Sequence, residues 1–302
     1  MSAVDLAPQE LRTLVAVADE GGFSAAAARL GTTQSAVSHA VRGIEGKVGV
    51  VLFERGRFGA RPTPAGDRAV VHARRVLRML QALVAEVRGA GATGVGTGRV
   101  DGPLRIAAFR SAALHLLPPV LERLAARHPG IEATVTVVRE VGPGTAGAVA
   151  EGLADLGIAT FGTSAPIPPE LVGDVLLEEP YALVHPAGHP APRSLPLVDW
   201  TENCSSSTRA WWAAQDWIPA ATVRAEDDGA VLSMVSSGLG MAIMPALSLT
   251  RTPLGTEITD LGPERPTRRV GYVTTPELAT TAAVRALVRE LRATAKPQVG
   301  AG

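Results

Sequence analysis

Residues 8–48 read PQELRTLVAVADEGGFSAAAARLGTTQSAVSHAVRGIEGKV, and their pattern predicts the fold of the N-terminal part. Apolar residues at helical spacing predict a first helix over 8–20, which a pair of glycines ends. The alanine-rich run SAAAARL predicts a short second helix, which Gly31 ends. A third helix is predicted to follow Thr32 or Thr33. Two short helices joined by a glycine-containing turn are typical of a helix-turn-helix, so we expect that motif here.

The third predicted helix has short polar side chains near its start and an arginine further along. They are Thr33, Gln34, Ser35, Ser38, His39 and Arg42. A helix that enters the major groove places such side chains against base edges and phosphates, where Gln can pair with adenine and Arg with guanine. We therefore expect these residues to contact double-stranded DNA. The alternative for each of them is a solvated residue, and for Thr33 a helix cap.

The sequence after the third helix is rich in glycine and arginine. Residues 54–63, ERGRFGARPT, have the composition of a β-hairpin, and we interpret them as the wing of a winged helix-turn-helix. Three cations lie in this wing, Arg55, Arg57 and Arg61. We expect them to contact phosphates or the minor groove of DNA.

A long helix is predicted from Thr63 and Pro64 to about Gly89. Its apolar residues are spaced alternately by three and four positions, and they are Val70, Ala73, Leu77, Leu80, Val84 and Val87. This heptad pattern is typical of a helix that pairs with another helix, so we expect Leu77, Leu80 and Val84 to form a dimer interface. The alternative is an amphipathic helix that packs on its own domain.

A glycine-rich segment, GAGATGVGTGRVDG over residues 89–102, indicates a flexible linker. Beyond it, runs such as PLRIAAF and IEATVTVV predict strands, and the segments between them predict helices. This alternation predicts an α/β domain with a largely parallel sheet. The expected fold class is therefore α/β with an all-α N-terminal part.

The composition excludes several classes of protein. Hydrophobic residues make up 46% of the 302 residues, which suffices for packed cores. The chain has one cysteine and six scattered histidines, and it lacks the HExxH, Walker and GxSxG motifs. We therefore expect no disulfide, no metal, no cofactor and no enzyme activity. No signal peptide or membrane-spanning run is evident, so we expect a cytoplasmic protein that does not interact with membranes.

The net charge is zero overall but divides unevenly. Residues 1–90 contain 12 Lys and Arg against 8 Asp and Glu, whereas residues 91–302 contain 17 against 21. A basic N-terminal part attached to an acidic body is expected when one end of a protein meets phosphates. Chance division of the charges is the alternative.

Residues 6–66 resemble the LysR-type transcriptional regulator family. The matching elements are GFS at 22–24, QSAVS at 34–38, IE at 44–45, LFER at 52–55 and TPAG at 63–66. The runs PLRIAA, GLADLGIA and SSGLGMAIMP resemble the effector-binding domain of the same family. That domain is similar to periplasmic binding proteins, in which two α/β subdomains enclose a cleft.

The resemblance implies a division into a winged helix-turn-helix DNA-binding domain over 1–66, a linker or dimerisation helix over 67–90, a flexible linker over 91–102 and an effector-binding domain over 103–297. Within the last domain, subdomain I would comprise 103–162 and 266–297, and subdomain II would comprise 163–265.

The resemblance also implies a function. The chain would bind DNA at specific sequences under the control of a small-molecule effector, act as a homodimer or homotetramer, and contact RNA polymerase. Its location would be the nucleoid in the cytoplasm. The alternative is a solute-binding protein of similar fold without a regulatory role.

The effector cleft should be lined by strand ends and helix starts, where free N–H groups favour anions. By this argument the effector-binding residues are Arg110, Ser111, Thr160, Asn203, Ser205 and Ser206. Arg110 would pair with a carboxylate, so we expect the effector to be a small organic acid. The alternative for Arg110 is exposure to solvent or an ion pair with Glu226 or Asp227. The four tryptophans, all between residues 200 and 217, either pack subdomain II or line the pocket.

Overall fold

The computed structural model describes residues 5–56, 59–91, 100–162, 167–200 and 206–295. The chain divides into two compact units. The N-terminal unit comprises residues 1–91 and 151–153, and the C-terminal unit comprises residues 92–150 and 154–302. Among the described residues, no helix is both long enough and apolar enough to cross a membrane.

The helices of the described residues are α1 (Pro8–Glu20), α2 (Phe23–Leu30), α3 (Gln34–Val48), α4 (Pro64–Gly91), α5 (Leu117–Arg127), α6 (Gly144–Ala150), α7 (Ser206–Ala213), α8 (Asp228–Ser236), α9 (Pro276–Ala279) and α10 (Ala282–Ala295). The strands are β1 (Phe53–Gly56), β2 (Gly59–Pro62), β3 (Asp101–Ala108), β4 (Gly130–Val137), β5 (Leu156–Phe161), β6 (Val172–Pro186), β7 (Leu197–Trp200), β8 (Ala221–Ala225), β9 (Ala242–Pro245), β10 (Thr256–Asp260) and β11 (Thr267–Thr274). A π-helical turn, Ala112–Leu116, directly precedes α5.

The N-terminal unit contains three helices around a small apolar core. α1, α2 and α3 bury the apolar faces that their helical spacing predicted, including Leu14, Val41 and Ile44. Each fully buried side chain of this size contributes about 1.5–3 kcal/mol. β1 and β2 follow as an antiparallel hairpin in which Phe53 lies opposite Pro62. The predicted helix-turn-helix is thus confirmed, and a hairpin follows it at the predicted place.

The first turns of α4 belong to the core of the N-terminal unit. Thr63 caps the helix, because its hydroxyl accepts a hydrogen bond from the Gly66 N–H at 3.0 Å. Val70 and Ala73 are buried with 3% and 1% exposure, and Leu77 is half-buried. The first two positions of the predicted heptad seam therefore pack on their own unit. For this part of α4, the alternative of an amphipathic helix that packs on its own domain is observed.

The C-terminal unit contains a seven-stranded sheet with the order β10-β6-β11-β5-β3-β4, and β9 also pairs with β6. β3 is parallel to both β4 and β5. In contrast, β11 is antiparallel to β5 and β6, and β6 is antiparallel to β9 and β10. The expectation of a largely parallel sheet is therefore wrong. Strand–helix alternation along the chain does not reveal that β6 and β11 cross the sheet as adjacent antiparallel strands.

β6 extends through both subdomains of the C-terminal unit. Its residues 172–180 pair with β11, and its residues 182–186 pair with β10. Pairing thus groups 172–180 with the strands of subdomain I, whereas the sequence-based division placed all of 163–265 in subdomain II. The change of partner follows Pro180, which has no N–H to donate to a neighbouring strand.

Helices cover both faces of the sheet in subdomain I. α5 and α10 pack on one face, where Leu104, Leu117 and Leu287 are fully buried, and α6 packs on the other face through Val149. In subdomain II, Trp200 lies in the core beneath α8, and the remaining tryptophans pack with Leu195 against β6 and β9. The tryptophans therefore pack subdomain II, which is the first of the two alternatives for them.

Candidate functional sites

The exposed face of α3 contains most of the side chains that the sequence predicted to contact DNA. Gln34, Ser35, His39 and Arg42 are exposed. Ser38 differs from the prediction, because its side chain has only 5% exposure. A helix turns by about 100° per residue, so a residue between exposed positions can face the core. The open face of α3 thus offers an amide, a hydroxyl, an imidazole and a guanidinium.

The start of α3 is capped by the residue for which a cap was the alternative. The Thr33 hydroxyl accepts a hydrogen bond from the Ala36 N–H at 3.2 Å and lies 3.0 Å from the Ser35 hydroxyl. Thr33 is nevertheless exposed. The cap satisfies one of the free N–H groups of the first turn and holds the polar residues at the helix start in place.

α3 is attached firmly to the hairpin that follows it. The Glu45 carboxylate accepts hydrogen bonds from the Leu52 N–H at 2.8 Å and the Phe53 N–H at 3.2 Å. The hairpin in turn contacts the turn between α1 and α2, since the Ala60 N–H donates to the Gly21 carbonyl at 2.8 Å. A Cβ atom at Gly59 would lie 2.2 Å from that carbonyl, so only glycine fits there. These bonds fix the hairpin relative to the helix-turn-helix.

The three predicted wing arginines are described to different extents. Arg61 is exposed on β2, where it lies opposite Glu54. The backbone of Arg55 pairs with Ala60, but its side chain lies outside the described part of the structure, as does Arg57 altogether. The hairpin therefore presents Arg61 on its surface, and Arg55 and Arg57 remain predictions.

The second half of α4 has an exposed apolar face. Its members are Val76, Met79, Leu80, Leu83, Val84 and Val87, with exposures from 36% for Leu80 to 62% for Val87. This face includes Leu80 and Val84 of the predicted seam but is centred closer to Leu83 than to Leu77. So large a run of exposed apolar side chains on one helix favours burial against another protein surface.

In the C-terminal unit, Arg110 follows β3 and forms an ion pair with the start of α8. Its Nη1 atom donates to Asp228 Oδ1 at 2.6 Å, and its Nε lies 3.8 Å from Asp227 Oδ1. The other oxygen of Asp228 accepts a hydrogen bond from Ser248 at 2.8 Å. Asp228 is buried, whereas the Arg110 side chain is 39% exposed. The alternative of an acidic partner for Arg110 is thus observed, mainly with Asp228 and more distantly with Asp227.

A second ion pair lies beside the first. Arg268 Nε donates to Glu179 Oε1 at 2.6 Å, and Arg268 also stacks over the Phe109 ring at 4.9 Å. Ser111 is buried and accepts a long hydrogen bond, 3.5 Å, from Arg268. Ser111 therefore contacts Arg268. The adjacent residues Arg110 and Ser111 thus belong to two different polar networks, Arg110 to that of Asp228 and Ser111 to that of Arg268 and Glu179.

Thr160 belongs to a different cluster. Its N–H and hydroxyl donate to Glu140 Oε1 at 2.8 and 3.2 Å, and Glu140 Oε2 accepts two further bonds from Thr145 at 3.0 Å. Of the other predicted effector-binding residues, Asn203 and Ser205 lie outside the described residues. Ser206 begins α7, but its side chain is not described.

Four residues of these networks were not expected from the sequence, namely Asp228, Glu179, Arg268 and Glu140. For Asp228 a signal was available, because the run Glu226-Asp227-Asp228-Gly229 has the composition of a helix start. Asp227 does cap α8, accepting from the Gly229 and Ala230 N–H groups at 2.7 and 2.9 Å. Which of two adjacent acids would cap the helix and which would pair with Arg110 depends on the tertiary structure.

His115, in the π-helical turn, interacts electrostatically with Arg110 and Asp228. Burial lowers the pKa of His115, the carboxylate of Asp228 opposes this shift, and Arg251 and Arg110 reinforce it. The pKa of His115 therefore lies below its ordinary value, which favours the uncharged imidazole. Among the described residues, no cluster of three or more His, Cys, Asp or Glu side chains could hold a metal ion.

Both units of the chain match protein-family models. Residues 8–67 match the model described as "Bacterial regulatory helix-turn-helix protein, lysR family", and residues 97–296 match "LysR substrate binding domain". A probable HTH-type transcriptional regulator, LrrA of Synechococcus elongatus, is 36% identical over 81% of this chain and 82% of its own length.

Solved structures share the fold. Full-length OxyR C199D from Pseudomonas aeruginosa superimposes with a TM-score of 0.71 at 22% identity, covering 99% of each chain. Full-length CbnR, solved in a complex with its target DNA, gives a TM-score of 0.66 at 20% identity, covering 96% of this chain and all of CbnR.

Proposed function

This chain belongs to the LysR family of bacterial transcriptional regulators, and we propose that it reads its DNA site through the exposed face of α3. The observation that supports this most directly is the position of Gln34, Ser35, His39 and Arg42, all exposed on a helix whose opposite side is buried in the core. Helices of a helix-turn-helix that lie in the major groove contact bases with such side chains.

His39 stays in the proposed contact set without a specified partner, and the other residues have distinct proposed roles. Gln34 at the start of α3 would pair with adenine, and Arg42 would contact guanine or a phosphate. Thr33 and Ser35 would contact the backbone while Thr33 also caps the helix. Ser38 is withdrawn from the contact set because it is buried. Arg61 of the hairpin, with Arg55 and Arg57 on sequence grounds alone, would contact phosphates or the minor groove.

The experiment that tests this reading measures DNA affinity by fluorescence anisotropy, using a site selected from a random-sequence library. Gln34→Ala and Arg42→Ala should each weaken binding by about 1–3 kcal/mol if the side chain contacts a base. Arg12→Ala is the matched control, because Arg12 is exposed on α1 rather than α3. Equal losses for all three variants, or no loss at Gln34 and Arg42, would exclude α3 as the reading element.

We also propose that the regulator acts as a homodimer or homotetramer, paired through the exposed apolar face of α4. Pairing would present two copies of α3 to half-sites about 34 Å apart, one turn of DNA. The complex of the similar protein CbnR with its target DNA supports the DNA-binding assignment. By family membership, we propose that the bound protein contacts RNA polymerase and acts on the nucleoid in the cytoplasm.

The effector would bind in the C-terminal unit, between the two subdomains, near Arg110 and Ser111. The proposed class is still a small organic acid, but Arg110 already has a carboxylate partner in Asp228. An acidic effector would therefore bind by replacing Asp228 as the partner of Arg110. A ligand can shift a regulator only through different affinities for its two states, and this exchange of partners would supply that difference.

We keep the proposed division of the chain, namely 1–66, 67–90, 91–102 and 103–297, with one change. On the pairing of β6 with β11, residues 172–180 are assigned to subdomain I. The alternative of a solute-binding protein without a regulatory role is excluded, because residues 8–67 match the regulatory helix-turn-helix of the lysR family.

A further inference from the structure

A groove in the C-terminal unit lies apart from the ion pairs of Arg110 and Arg268. It is bounded by the start of β6, the end of β11 and the outer side of α10, and its volume is about 760 Å³. Neither Arg110, Asp228, Arg268 nor Glu179 lines it. Small-molecule sites are typically concave and of about 300–1,000 Å³, so this groove is large enough for a compact ligand.

Three arginines line the groove from one helix. Arg285, Arg289 and Arg292 are spaced by four and three residues, so they lie on the same side of α10. Opposite them, the strands supply Asp174 and Tyr272. The lining thus contains three guanidinium groups and a single carboxylate, which leaves an excess of positive charge.

One of the three arginines is already held by the strands. Arg292 Nη2 lies 3.0 Å from Asp174 Oδ2 and 3.2 Å from the Tyr272 hydroxyl, and its guanidinium is 5.9 Å from the centre of the Tyr272 ring. This leaves the charge of Asp174 compensated by Arg292. The contacts of Arg292 with Asp174 and Tyr272 also hold one wall of the groove in place.

The other two arginines lack such partners within the described part of the chain. No ion pair or side-chain hydrogen bond joins Arg285 or Arg289 to another described residue. The nearest acid along α10, Glu290, is buried on the other side of the helix and is bound by Arg123 and Arg127 of α5. Two uncompensated cations in a concave site raise the local concentration of anions.

The floor of the groove is apolar. Val284 is buried and Val288 is half-buried beneath the arginines, and Val172 lines the opposite side. An inorganic anion would leave this surface exposed to water, whereas an organic anion would cover it. The lining therefore favours a ligand with both a charged end and a short hydrocarbon body.

We propose that this groove is a second small-molecule site, which binds a compact organic dianion such as a dicarboxylate. One carboxylate lies against Arg285 and the other against Arg289, because planar guanidinium groups bind oxygen pairs well. The hydrocarbon body covers Val288, which lies on the floor between the two arginines. This site is independent of the proposed effector site at Arg110.

The test is isothermal titration calorimetry of the full-length chain with succinate and with phthalate, and with inorganic phosphate as the anion without a hydrocarbon body. All titrations are repeated in an Arg110→Ala background, so that any binding at the cleft is recognised. We expect at least one dicarboxylate to bind with a Kd of about 1 mM or tighter, and inorganic phosphate at least tenfold more weakly.

Arg285→Gln and Arg289→Gln should each weaken dicarboxylate binding about tenfold. Arg224→Gln is the matched control, since Arg224 is an exposed arginine on β8 that does not line the groove and its loss removes the same charge. All three arginines are exposed, so the variants are expected to fold, and their melting temperatures check this.

Several results would overturn the proposal. They are the absence of dicarboxylate binding, binding that Arg285→Gln and Arg289→Gln leave unchanged, and binding lost only with Arg110→Ala. A fourth is a change of oligomeric state in Arg289→Gln without any dicarboxylate binding, which would identify the groove as a protein interface.

Discussion

At the scale of single residues, the most informative contact is the ion pair between Arg110 and Asp228. The two residues are 118 positions apart in sequence and lie on opposite subdomains, one after β3 and one in the first turn of α8. The Arg110 guanidinium packs so closely on α8 that a Cβ at Gly229 would lie 2.3 Å from Nη2. A regulator that exchanges this internal carboxylate for that of a ligand would couple effector binding to the separation of the subdomains.

This pair leads to a prediction with opposite signs for its two members. Arg110→Ala should weaken the binding of an acidic effector at least tenfold, because the cation that binds the carboxylate is lost. Asp228→Asn should strengthen it, because the competing internal charge is removed. Calorimetric titration of both variants with the effector measures these changes, and DNA binding without effector should be preserved. An Arg110→Ala protein that responds at the wild-type effector concentration would remove Arg110 from the site.

Glu290 leads to a prediction about pH. Burial raises the pKa of Glu290, but hydrogen bonds from Arg127 and Arg123 outweigh that effect and hold the pKa below its ordinary value of 4.5. A carboxylate whose pKa is lower in the folded state stabilises the fold above its unfolded pKa, and this contribution is lost as the pH falls through the folded value. Glu290 should therefore contribute fully at pH 7 and progressively less as the pH falls below about 4.5.

Melting curves of the wild type and Glu290→Gln at a series of pH values measure this contribution. The melting temperature of the variant should be lower at pH 7, and the difference should narrow in acid. Glu132→Gln serves as the control, because Glu132 is exposed on β4. A difference between wild type and Glu290→Gln that is the same at every pH would mean that packing, rather than the ion pairs, accounts for it.

At the scale of elements, α4 has two halves with different partners. Its first half packs Val70 and Ala73 into the core of the N-terminal unit, and its second half exposes six apolar side chains. Asp19 of α1 forms ion pairs with Arg29 of α2 at 2.9 Å and with Arg74 of α4 at 2.5 Å. The second of these pairs joins α4 to α1 of the N-terminal unit. The exposed half continues the same helix away from these contacts, and the proposed pairing through it would set the distance between two copies of α3.

Leu80→Arg should reduce the oligomeric state and weaken operator binding, because a charge in an apolar helix pair is costly to bury. Sedimentation velocity and anisotropy measure the two effects on the same sample. Ala85→Arg introduces the same side chain on the opposite side of α4, at a partly exposed position, and should change neither quantity. If Leu80→Arg assembles like the wild type, α4 is not the pairing element.

At the scale of the whole molecule, DNA binding and ligand binding are assigned to different units. The basic N-terminal unit contains the helix-turn-helix, and the C-terminal unit contains the ion pairs and the groove. A chain limited to residues 100–295 should therefore bind no operator DNA at concentrations that saturate the full-length protein, while it keeps its fold by circular dichroism. Operator binding by that fragment at full-length affinity would contradict the assignment of DNA binding to α3.

The local features of this chain follow from short-range patterns in its amino-acid sequence. The helix-turn-helix could be predicted because its helices are close in sequence and each bears a complete signal: apolar periodicity, glycine at the end and a capping threonine at Thr33. The family resemblance of residues 6–66 rests on the same short-range pattern. The strands of the C-terminal unit were largely located in the same way, because each is a short apolar run.

Which of these elements are neighbours became clear from the folded chain alone. The antiparallel course of β6 and β11 and the pairing of Arg110 with Asp228 both depend on register between distant segments. Local patterns contain no information on that register, because a strand or helix start with the same composition can pair with many partners. The groove beneath Arg285 and Arg289 likewise exists only because α10 packs beside the ends of two strands that are distant from it in sequence.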